Sequence, residues 1–219
     1  MPPHQPAPDR GLILSFIKPT RPHRNNLVLL PQTFTSHILG TESSTRYQAA
    51  NPNTVKQHLL VSTIDDISRV NVSQVAKFWA KEQEVVGEGD VRLFKEVEVY
   101  GKGSDETAST ILIALMQPPP GGEEELDRWY REEHNQQMSE QRGWLRTCRF
   151  ELVARHGGGD EEEEEEEKEK GLSFLAIHKF SDDNDLGLEV KAVEPVSEWT
   201  KKLMGEAVGI DAAIYRKKV

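Results

Sequence analysis

The sequence predicts an α+β protein in which two units of the order β-α-β-β-α-β form one pseudo-dimeric barrel. Three observations support this prediction. Short apolar or alternating runs of strand length are interspersed with segments that carry apolar residues at helical spacing. The same order of predicted elements occurs twice along the 219 residues. Several short motifs also recur at corresponding places in the two halves, as an internal duplication predicts.

The first unit is expected over residues 11–104, after a proline-rich flexible tail over residues 1–10. Its two predicted helices differ in regularity. Residues 72–83 carry apolar side chains at helical spacing, whereas residues 21–39 are interrupted by proline and predict a degenerate first helix. The four predicted strands are short apolar or alternating runs over residues 11–17, 44–50, 58–64 and 91–101.

The second unit is expected over residues 105–219. Its first helix, residues 123–141, begins with acidic residues, which the helix dipole favours at that end. The acidic segment over residues 157–170 is expected to be a mobile hairpin loop, because it holds a run of like charges. The other elements of this unit are predicted strands over residues 110–116, 144–153, 172–180 and 210–218, and a helix over residues 196–207.

Four short motifs connect the two halves. The pairs are "LILSFI" with "ILIALM", "TRYQAA" with "CRFELV", "KFWAKE" with "SEWTKK", and "EVYGK" with "AIYRK". They align Trp79 with Trp199 and Tyr100 with Tyr215. We interpret the halves as two ferredoxin-like repeats whose sheets close on each other and cover their apolar faces. The first helix of the first repeat lacks the polar cluster of its counterpart, so one active cleft is expected, in the second repeat.

The composition argues against several classes of function. The net charge is −10, of which nine acids and two lysines in residues 160–170 contribute −7, and no basic stripe is left to neutralise phosphates. We therefore expect no nucleic-acid partner. Cys148 is the single cysteine, which excludes an internal disulfide and a cysteine-based zinc site. No apolar run approaches the roughly 20 residues that span a membrane, so a soluble, cytoplasmic protein without a membrane partner is expected.

The segment "LDRWYREEH" concentrates polar and aromatic side chains on the first helix of the second unit. Asp127, Tyr130 and His134 are separated by three and four residues, so on a helix they share a face. Trp129 and Glu133 lie four apart on the neighbouring stripe. A histidine beside a carboxylate or a phenol can serve as general base and acid near neutral pH. The ordinary alternative is core packing for both aromatic residues and a surface charge for Glu133.

This segment, together with "GWLRTCRFELV" and "LSFLAIHKFSD", resembles the EthD-like proteins of the dimeric α+β barrel superfamily, especially fungal single-chain versions with two repeats. The match covers residues 110–219 well, and residues 11–101 mainly through "RYQA" and the order of strands. The resemblance implies a ferredoxin-like pseudo-dimer and small-molecule chemistry without an organic cofactor, often in secondary metabolism. The residues that carry it are Asp127, Trp129, Tyr130, Glu133, His134, Gly143 and Arg149.

The chemistry and spacing of these side chains predict their roles. His134 is the predicted base or acid, Tyr130 the donor that polarises a substrate oxygen, and Asp127 the group that orients one of them. Trp129 and Trp144 are predicted to form the apolar walls of a cleft between this helix and its sheet.

Three further residues are predicted to contact the substrate, namely Glu133, Arg149 and His178. For Arg149 the alternative is a structural salt bridge, and for His178 it is a hydrogen-bonded histidine of the core. Glu132, Glu133 and His134 are adjacent in sequence and do not have the ligand spacing of one metal face, so no metal site is expected.

Three functional hypotheses follow. The first is a cofactor-free lyase or isomerase, meaning a dehydratase, decarboxylase or cyclase, that acts on a hydrophobic, polyketide-like metabolite. The second is a cofactor-free monooxygenase of the same fold. The third is a non-catalytic small-molecule-binding or stress-response protein. A homodimer is a further expectation.

Overall fold

The computed structural model of the chain describes residues 9–19, 26–82, 86–104, 107–156 and 171–218. The predicted acidic loop, residues 157–170, lies outside the described residues, as do residues 1–8 of the predicted tail. The next tail residue is bonded to the body of the fold, because the Asp9 carboxylate pairs with Lys95 Nζ at 2.9 Å. None of the helices in the described ranges combines the length and apolar character that crossing a membrane requires.

In the first half, the described ranges contain four strands and two α-helices, and a 3-10 turn (Ile67–Arg69) precedes the second helix. Within the segment predicted as a degenerate helix, Asn26–His37 form an α-helix of 12 residues that accommodates Pro31. The elements in chain order are β1 (Gly11–Lys18), α1 (Asn26–His37), β2 (Thr41–Ala49), β3 (His58–Ile64), α2 (Val72–Glu82) and β4 (Glu88–Gly101).

In the second half, the long helix predicted after the first strand is present, but a π-helical turn divides it into two short α-helical parts. Counted as one helix, it gives this half the same order of strands and helices as the first. The elements are β5 (Thr110–Gln117), α3 (Glu123–Trp129), the π turn (Tyr130–His134), α4 (Asn135–Ser139), β6 (Trp144–His156), β7 (Phe174–Phe180), α5 (Glu198–Glu206) and β8 (Gly209–Lys218).

The eight strands form a closed barrel in the order β1-β3-β2-β8-β5-β7-β6-β4, and all neighbours are antiparallel. The predicted α+β class is therefore confirmed. Two seams join the halves. Strands β4 and β6 pair from Val91 opposite His156 to Gly101 opposite Arg146, whereas β2 and β8 share four residue pairs.

Strands β1 and β5 are buried on both faces, which explains why their sequences are continuous apolar runs rather than alternating ones. On β1, Leu12, Leu14 and Phe16 belong to the interior of the barrel, while Ile13 and Ile17 pack under α1 and α2. The second half follows the same plan. Its outer layer, between the sheet and the helices α3, α4 and α5, contains the predicted site.

The glycine turn before β6 requires its glycine. Gly143 has a φ of +74°, and a Cβ atom there would lie 2.6 Å from the carbonyl oxygen of Asp183. A side chain is therefore disfavoured both by the left-handed backbone and by a backbone contact that cannot move alone. The turn determines where β6 begins, and hence the position of Trp144.

We expect Gly143→Ala to destabilise the fold by about 1–3 kcal/mol, because it combines backbone strain with a steric clash. Gly205→Ala is the matched control, since Gly205 lies in α5 and a Cβ there meets no atom within 4 Å. Replacing a helical glycine with alanine favours the helix, so the melting temperature of the control should rise. A Gly143→Ala protein that melts as the wild type does would contradict this account of the turn.

Candidate functional site

The π turn sets the relative positions of the aromatic side chains on the long helix. The backbone N–H of Asn135 donates to the carbonyl oxygen of Tyr130, five residues earlier, instead of to the residue four earlier. In a regular α-helix, residues five apart point in different directions, because one turn holds 3.6 residues. The wider turn brings them together, and the rings of Trp129 and His134 stack with centroids 4.2 Å apart and an interplanar angle of 15°.

Tyr130 completes this aromatic group. Its ring lies 5.3 Å from the His134 ring and 4.8 Å from the Trp129 ring, in both cases edge to face. The structure therefore brings together three of the predicted residues on one side of the helix. Trp129 and Tyr130 are almost fully buried against the sheet, whereas His134 is half-buried.

A second histidine lies beneath the helix on β7. The rings of His134 and His178 have centroids 5.4 Å apart at an interplanar angle of 79°. His178 is 1% exposed, and its Nδ1 atom lies 2.8 Å from the hydroxyl of Thr147 on β6. Its Nε2 atom has no hydrogen-bond partner among the described residues. A buried polar atom without a partner is uncommon and marks a place where a ligand can be recognised.

Burial keeps both imidazoles neutral. Loss of hydration lowers the pKa of His134 from 6.5 to about 4, although a hydrogen bond with Gln137 and the charge of Glu133 act in the opposite direction. Burial also lowers the pKa of His178 well below its ordinary value, and the neighbouring His134 lowers it further. Both side chains are therefore in the base form at neutral pH.

Tyr130 remains a neutral phenol for the same reason. Burial raises the pKa of Tyr130 to about 12, against the opposing charge of Arg149. The guanidinium carbon of Arg149 lies 4.5 Å from the centre of the Tyr130 ring. The phenol hydroxyl contacts the sulfur of Met116 at 3.7 Å, which is a weak acceptor. This hydroxyl is thus a hydrogen-bond donor without a strong partner among the described residues.

Arg149 connects the helix to the seam between the two halves. It is 6% exposed and donates at 2.8 Å to Asp127 and at 2.8 Å to Glu98 on β4. Arg131 contacts the same two carboxylates at 3.3 and 3.4 Å. The Asp127 carboxylate is therefore linked to the Tyr130 ring through the guanidinium that lies over that ring. These contacts form a salt bridge within the fold, which was the alternative to substrate binding that the sequence left open for Arg149.

Glu133 has a different environment. Its carboxylate accepts hydrogen bonds from Ser197 and Thr200, each at 2.7 Å, and from the Trp129 indole at 3.3 Å. Burial raises the pKa of Glu133, but these three hydrogen bonds and the neighbouring His134 together outweigh it and lower the pKa below its ordinary value. The carboxylate thus ties the long helix to the start of α5, rather than lying free at the surface.

Four residues of this layer were not predicted from the sequence. Thr147 accepts a hydrogen bond from Trp144 Nε1 at 3.2 Å, which orients the predicted wall residue. The Asn135 side-chain amide donates to Glu98 at 3.2 Å, and its oxygen has no partner in the described part of the chain. The four residues are Thr147, Asn135, Glu98 and Met116, and their residue types are ordinary in strands or helices. The available sequence signal was the alternation along β4 and β6, which indicates the face of the sheet on which a side chain lies.

Most side chains of this layer are buried. Three clefts on the described surface lie elsewhere, and neither His134 nor His178 lines them. One of them lies beside α3 and α5, where Trp199 and Leu203 line it. Within the described ranges, no group of three or more histidine, cysteine, aspartate or glutamate side chains is arranged to hold a metal ion.

Comparisons with known proteins identify the fold. No family model and no curated protein matches the chain. A solved structure described as an anthrone oxidase-like protein aligns with a TM-score of 0.56 at 11% identity, covering 96% of this chain and 92% of that one. The putative monooxygenase of Fusobacterium nucleatum aligns with a TM-score of 0.60 at 9% identity, covering 96% and 93%. The putative monooxygenase of Lactobacillus acidophilus aligns with a TM-score of 0.56 at 9% identity, covering 95% of this chain and 94% of that one.

The chain thus has a fold of the dimeric α+β barrel type, as the sequence predicted. At identities of 9–11%, this similarity concerns the fold alone. The assignment to the fungal two-repeat EthD-like proteins stays a prediction.

The low pKa of His134 makes the stability of the fold depend on pH. The unfolded chain binds a proton at a pKa near 6.5, whereas the folded chain binds it only near 4. The stability linked to this group is therefore complete above pH 6.5 and is lost as the pH falls toward 4, by about 3 kcal/mol in total.

We expect the drop in melting temperature between pH 7.5 and pH 4.5 to be smaller in His134→Gln than in the wild type, because glutamine does not titrate. His37→Gln, at the exposed end of α1, is the control and should keep the full drop. Equal pH dependence in wild type and His134→Gln would show that His134 is not the buried neutral group described above.

The two carboxylates beside Arg149 predict a second stability effect. Arg149→Met leaves Glu98 and Asp127 partly buried without this partner, and we expect a loss of about 2 kcal/mol in the free energy of unfolding. Lys201→Met removes an ion pair of similar geometry whose side chains are 57% and 90% exposed, and should change the stability by no more than about 0.5 kcal/mol. Chemical denaturation of both variants measures the difference, and equal losses would contradict the structural role of Arg149.

Proposed function

We propose that this chain is a cofactor-independent enzyme that removes a proton from a hydrophobic small molecule, with His134 as the base. The observation that carries the proposal is the pair of neutral imidazoles, His134 and His178, 5.4 Å apart in an aromatic layer. A buried neutral histidine has a free lone pair at physiological pH. Aromatic neighbours suit an apolar substrate, since pockets for small molecules combine apolar walls with a few polar groups.

The environment of His134 supports its role as the base. Stacking on Trp129 holds the imidazole plane, so that the ring does not have to be ordered during the reaction. In the absence of substrate its pKa of about 4 makes it a weak base. An anion formed beside it during proton removal favours the imidazolium and raises that pKa. Tyr130 is the proposed hydrogen-bond donor to the substrate oxygen that becomes negative.

The remaining predicted residues are assigned supporting roles. Asp127 is proposed to position Tyr130 indirectly, by holding Arg149 over the phenol ring. Trp129 and Trp144 are the proposed apolar walls. Because the helix packs directly on the sheet, substrate entry requires the helix to move away from β7, and Glu133 is the group that ties it to α5 on the outer side.

Two continuations of the reaction are proposed. In the first, the proton is returned elsewhere on the substrate or a group is eliminated, which is the lyase or isomerase chemistry expected from the sequence. The neutral phenol of Tyr130 favours it, because it is a donor already in place. In the second, the carbanion reacts with dioxygen. The names of the three fold neighbours, an anthrone oxidase-like protein and two putative monooxygenases, favour this one.

Wider proposals follow from the same resemblance. We propose that residues 11–104 and 105–219 are two ferredoxin-like repeats of one ancestral unit. The motifs "LILSFI" and "ILIALM" align Ile13 of β1 with Leu112 of β5. Ile13 lies opposite Ser62 of β3, and Leu112 lies opposite His178 of β7, so the strand pairing is equivalent in the two halves and supports this alignment. A cytoplasmic location, a homodimer and a role in fungal secondary metabolism are proposed on the resemblance alone.

The test uses anthrone and linear polyketide-like β-ketones as probes, with oxygen uptake and product mass as readouts. An oxygenase converts anthrone and one dioxygen into anthraquinone and water, and stops under strict anaerobiosis. A lyase or isomerase yields its product without oxygen. No conversion of any probe, with binding detected, would instead support the non-catalytic hypothesis.

Variants identify the base. We expect His134→Gln to lower kcat/KM by about 10²–10⁴-fold when turnover is normalised to folded protein. The control variant His37→Gln should have the same kcat/KM as the wild type. The wild-type kcat/KM should stay level from pH 6 to 9 and decline only toward pH 4, because His134 titrates there. Full activity in His134→Gln, with loss in His178→Gln, would mean that His178 is the base.

A further inference from the structure

Thr147 lies between two side chains of the site and has a hydroxyl that is completely buried. The residue is 1% exposed, and its Oγ1 atom lies 3.2 Å from Trp144 Nε1 and 2.8 Å from His178 Nδ1. These are the two partners of the hydroxyl among the described residues. The arrangement therefore allows the position of each hydrogen to be worked out from the donors and acceptors present.

The indole fixes one half of the arrangement. Trp144 Nε1 carries a hydrogen and has no lone pair to offer, so it can only donate to Thr147. The Thr147 hydroxyl has one hydrogen of its own, and its remaining partner is His178 Nδ1. A neutral imidazole carries its proton on one nitrogen and accepts on the other, so two tautomers of His178 have to be compared.

With the proton on Nε2, the Thr147 hydroxyl donates to Nδ1, and the Nε2–H group is the single atom of this chain of contacts without a partner. With the proton on Nδ1, Thr147 accepts two hydrogen bonds while its own hydrogen has no acceptor, and the Nε2 lone pair has no donor. The second tautomer thus buries two unsatisfied groups and the first buries one. Each such group carries a desolvation penalty, so the first tautomer is favoured.

We infer that Thr147 is a positioning residue that holds His178 as the Nε2–H tautomer, so that His178 offers a buried N–H donor to a substrate oxygen. The two histidines then have different roles. His134 accepts the proton, and His178 donates a hydrogen bond to the oxygen on which negative charge develops. The catalytic meaning of the inference rests on the proposed function, whereas the tautomer itself can be measured without any substrate.

The first half of the barrel has hydroxyls at the corresponding positions. Ser44 and Ser62 occupy the register of Thr147 and His178, and their hydroxyl oxygens are 2.8 Å apart. Thr35 of α1 lies 2.8 Å from Ser44 on the helix side. A hydroxyl thus bridges neighbouring strands at these positions in both halves, and the second half has an imidazole, His178, where the first has the Ser62 hydroxyl. Ser44→Ala is therefore a matched control for substitutions of Thr147.

The experiment records the ring nitrogens of His178 by long-range ¹H–¹⁵N correlation on the ¹⁵N-labelled full chain at pH 7.5, assigned by the loss of signals in His178→Gln. We expect Nε2 in the protonated range and Nδ1 in the unprotonated range. In Thr147→Val the Nδ1 atom loses its donor, so both nitrogen shifts should move toward the values of a mixture of tautomers. Thr147→Ser should restore the wild-type shifts, and Ser44→Ala should leave them unchanged.

A wild-type spectrum with the proton on Nδ1 would overturn the inference, as would a folded Thr147→Val protein whose His178 shifts equal those of the wild type. If Thr147→Val does not fold, the wild-type and Thr147→Ser spectra still decide the tautomer. The Nε2–H tautomer together with no turnover of any probe would contradict the proposed function and would still support the assignment of Thr147.

Discussion

The guanidinium of Arg149 lies between the carboxylates of Glu98 and Asp127, and the arrangement of the site depends on this contact. Glu98 belongs to β4 in the first half of the chain and Asp127 to the helix of the second half. A nearly buried cation requires partners, because the loss of hydration is costly unless opposite charges and hydrogen bonds replace water. The contact therefore fixes the height of the helix above the β4–β6 seam, and with it the position of Tyr130 under the guanidinium.

The helix that Arg149 holds is irregular where the chemistry is proposed. A single π turn rotates His134 onto Trp129, and the same turn leaves Asn135 pointing toward Glu98. The irregularity converts a helix with polar residues on adjacent stripes into one with a stacked aromatic group. π turns of this kind occur frequently at functional sites, since they aim side chains in directions that an α-helix does not offer.

Neutrality is the common property of the groups in this layer. Burial keeps both histidines unprotonated and Tyr130 un-ionised. Arg149 is paired with Glu98 and Asp127, whereas Glu133 is held by hydrogen bonds from neutral groups. The first half of the barrel has the same order of strands and helices but fills its layer with hydroxyls and large apolar side chains, among them Phe34 and Trp79. The two halves thus share a framework and differ in the chemistry that their helix–sheet layers can support.

Much of the fold could be predicted from the sequence, because it depends on local patterns. The apolar runs of β1 and β5 are long enough to be covered on both faces, and the positive φ of Gly143 suits the one residue type without a Cβ. The spacing of Asp127, Tyr130 and His134 also placed them on one helix. The pattern in residues 21–39, which contains Pro31, gave a weaker helix signal, and Asn26–His37 form an α-helix there.

The details of the site depended on tertiary structure. Glu98 reaches Arg149 only because the barrel closes between β4 and β6, which joins residues 51 positions apart. The proximity of His134 and His178 arises from the packing of a helix on a strand that the chain reaches more than 40 residues later, and the π turn has no simple sequence signal. The sequence by itself determined which segments are strands and helices and which side chains are available. Only the closed barrel decided which of them meet, because hydrogen-bond partners and burial come from segments that are distant along the chain.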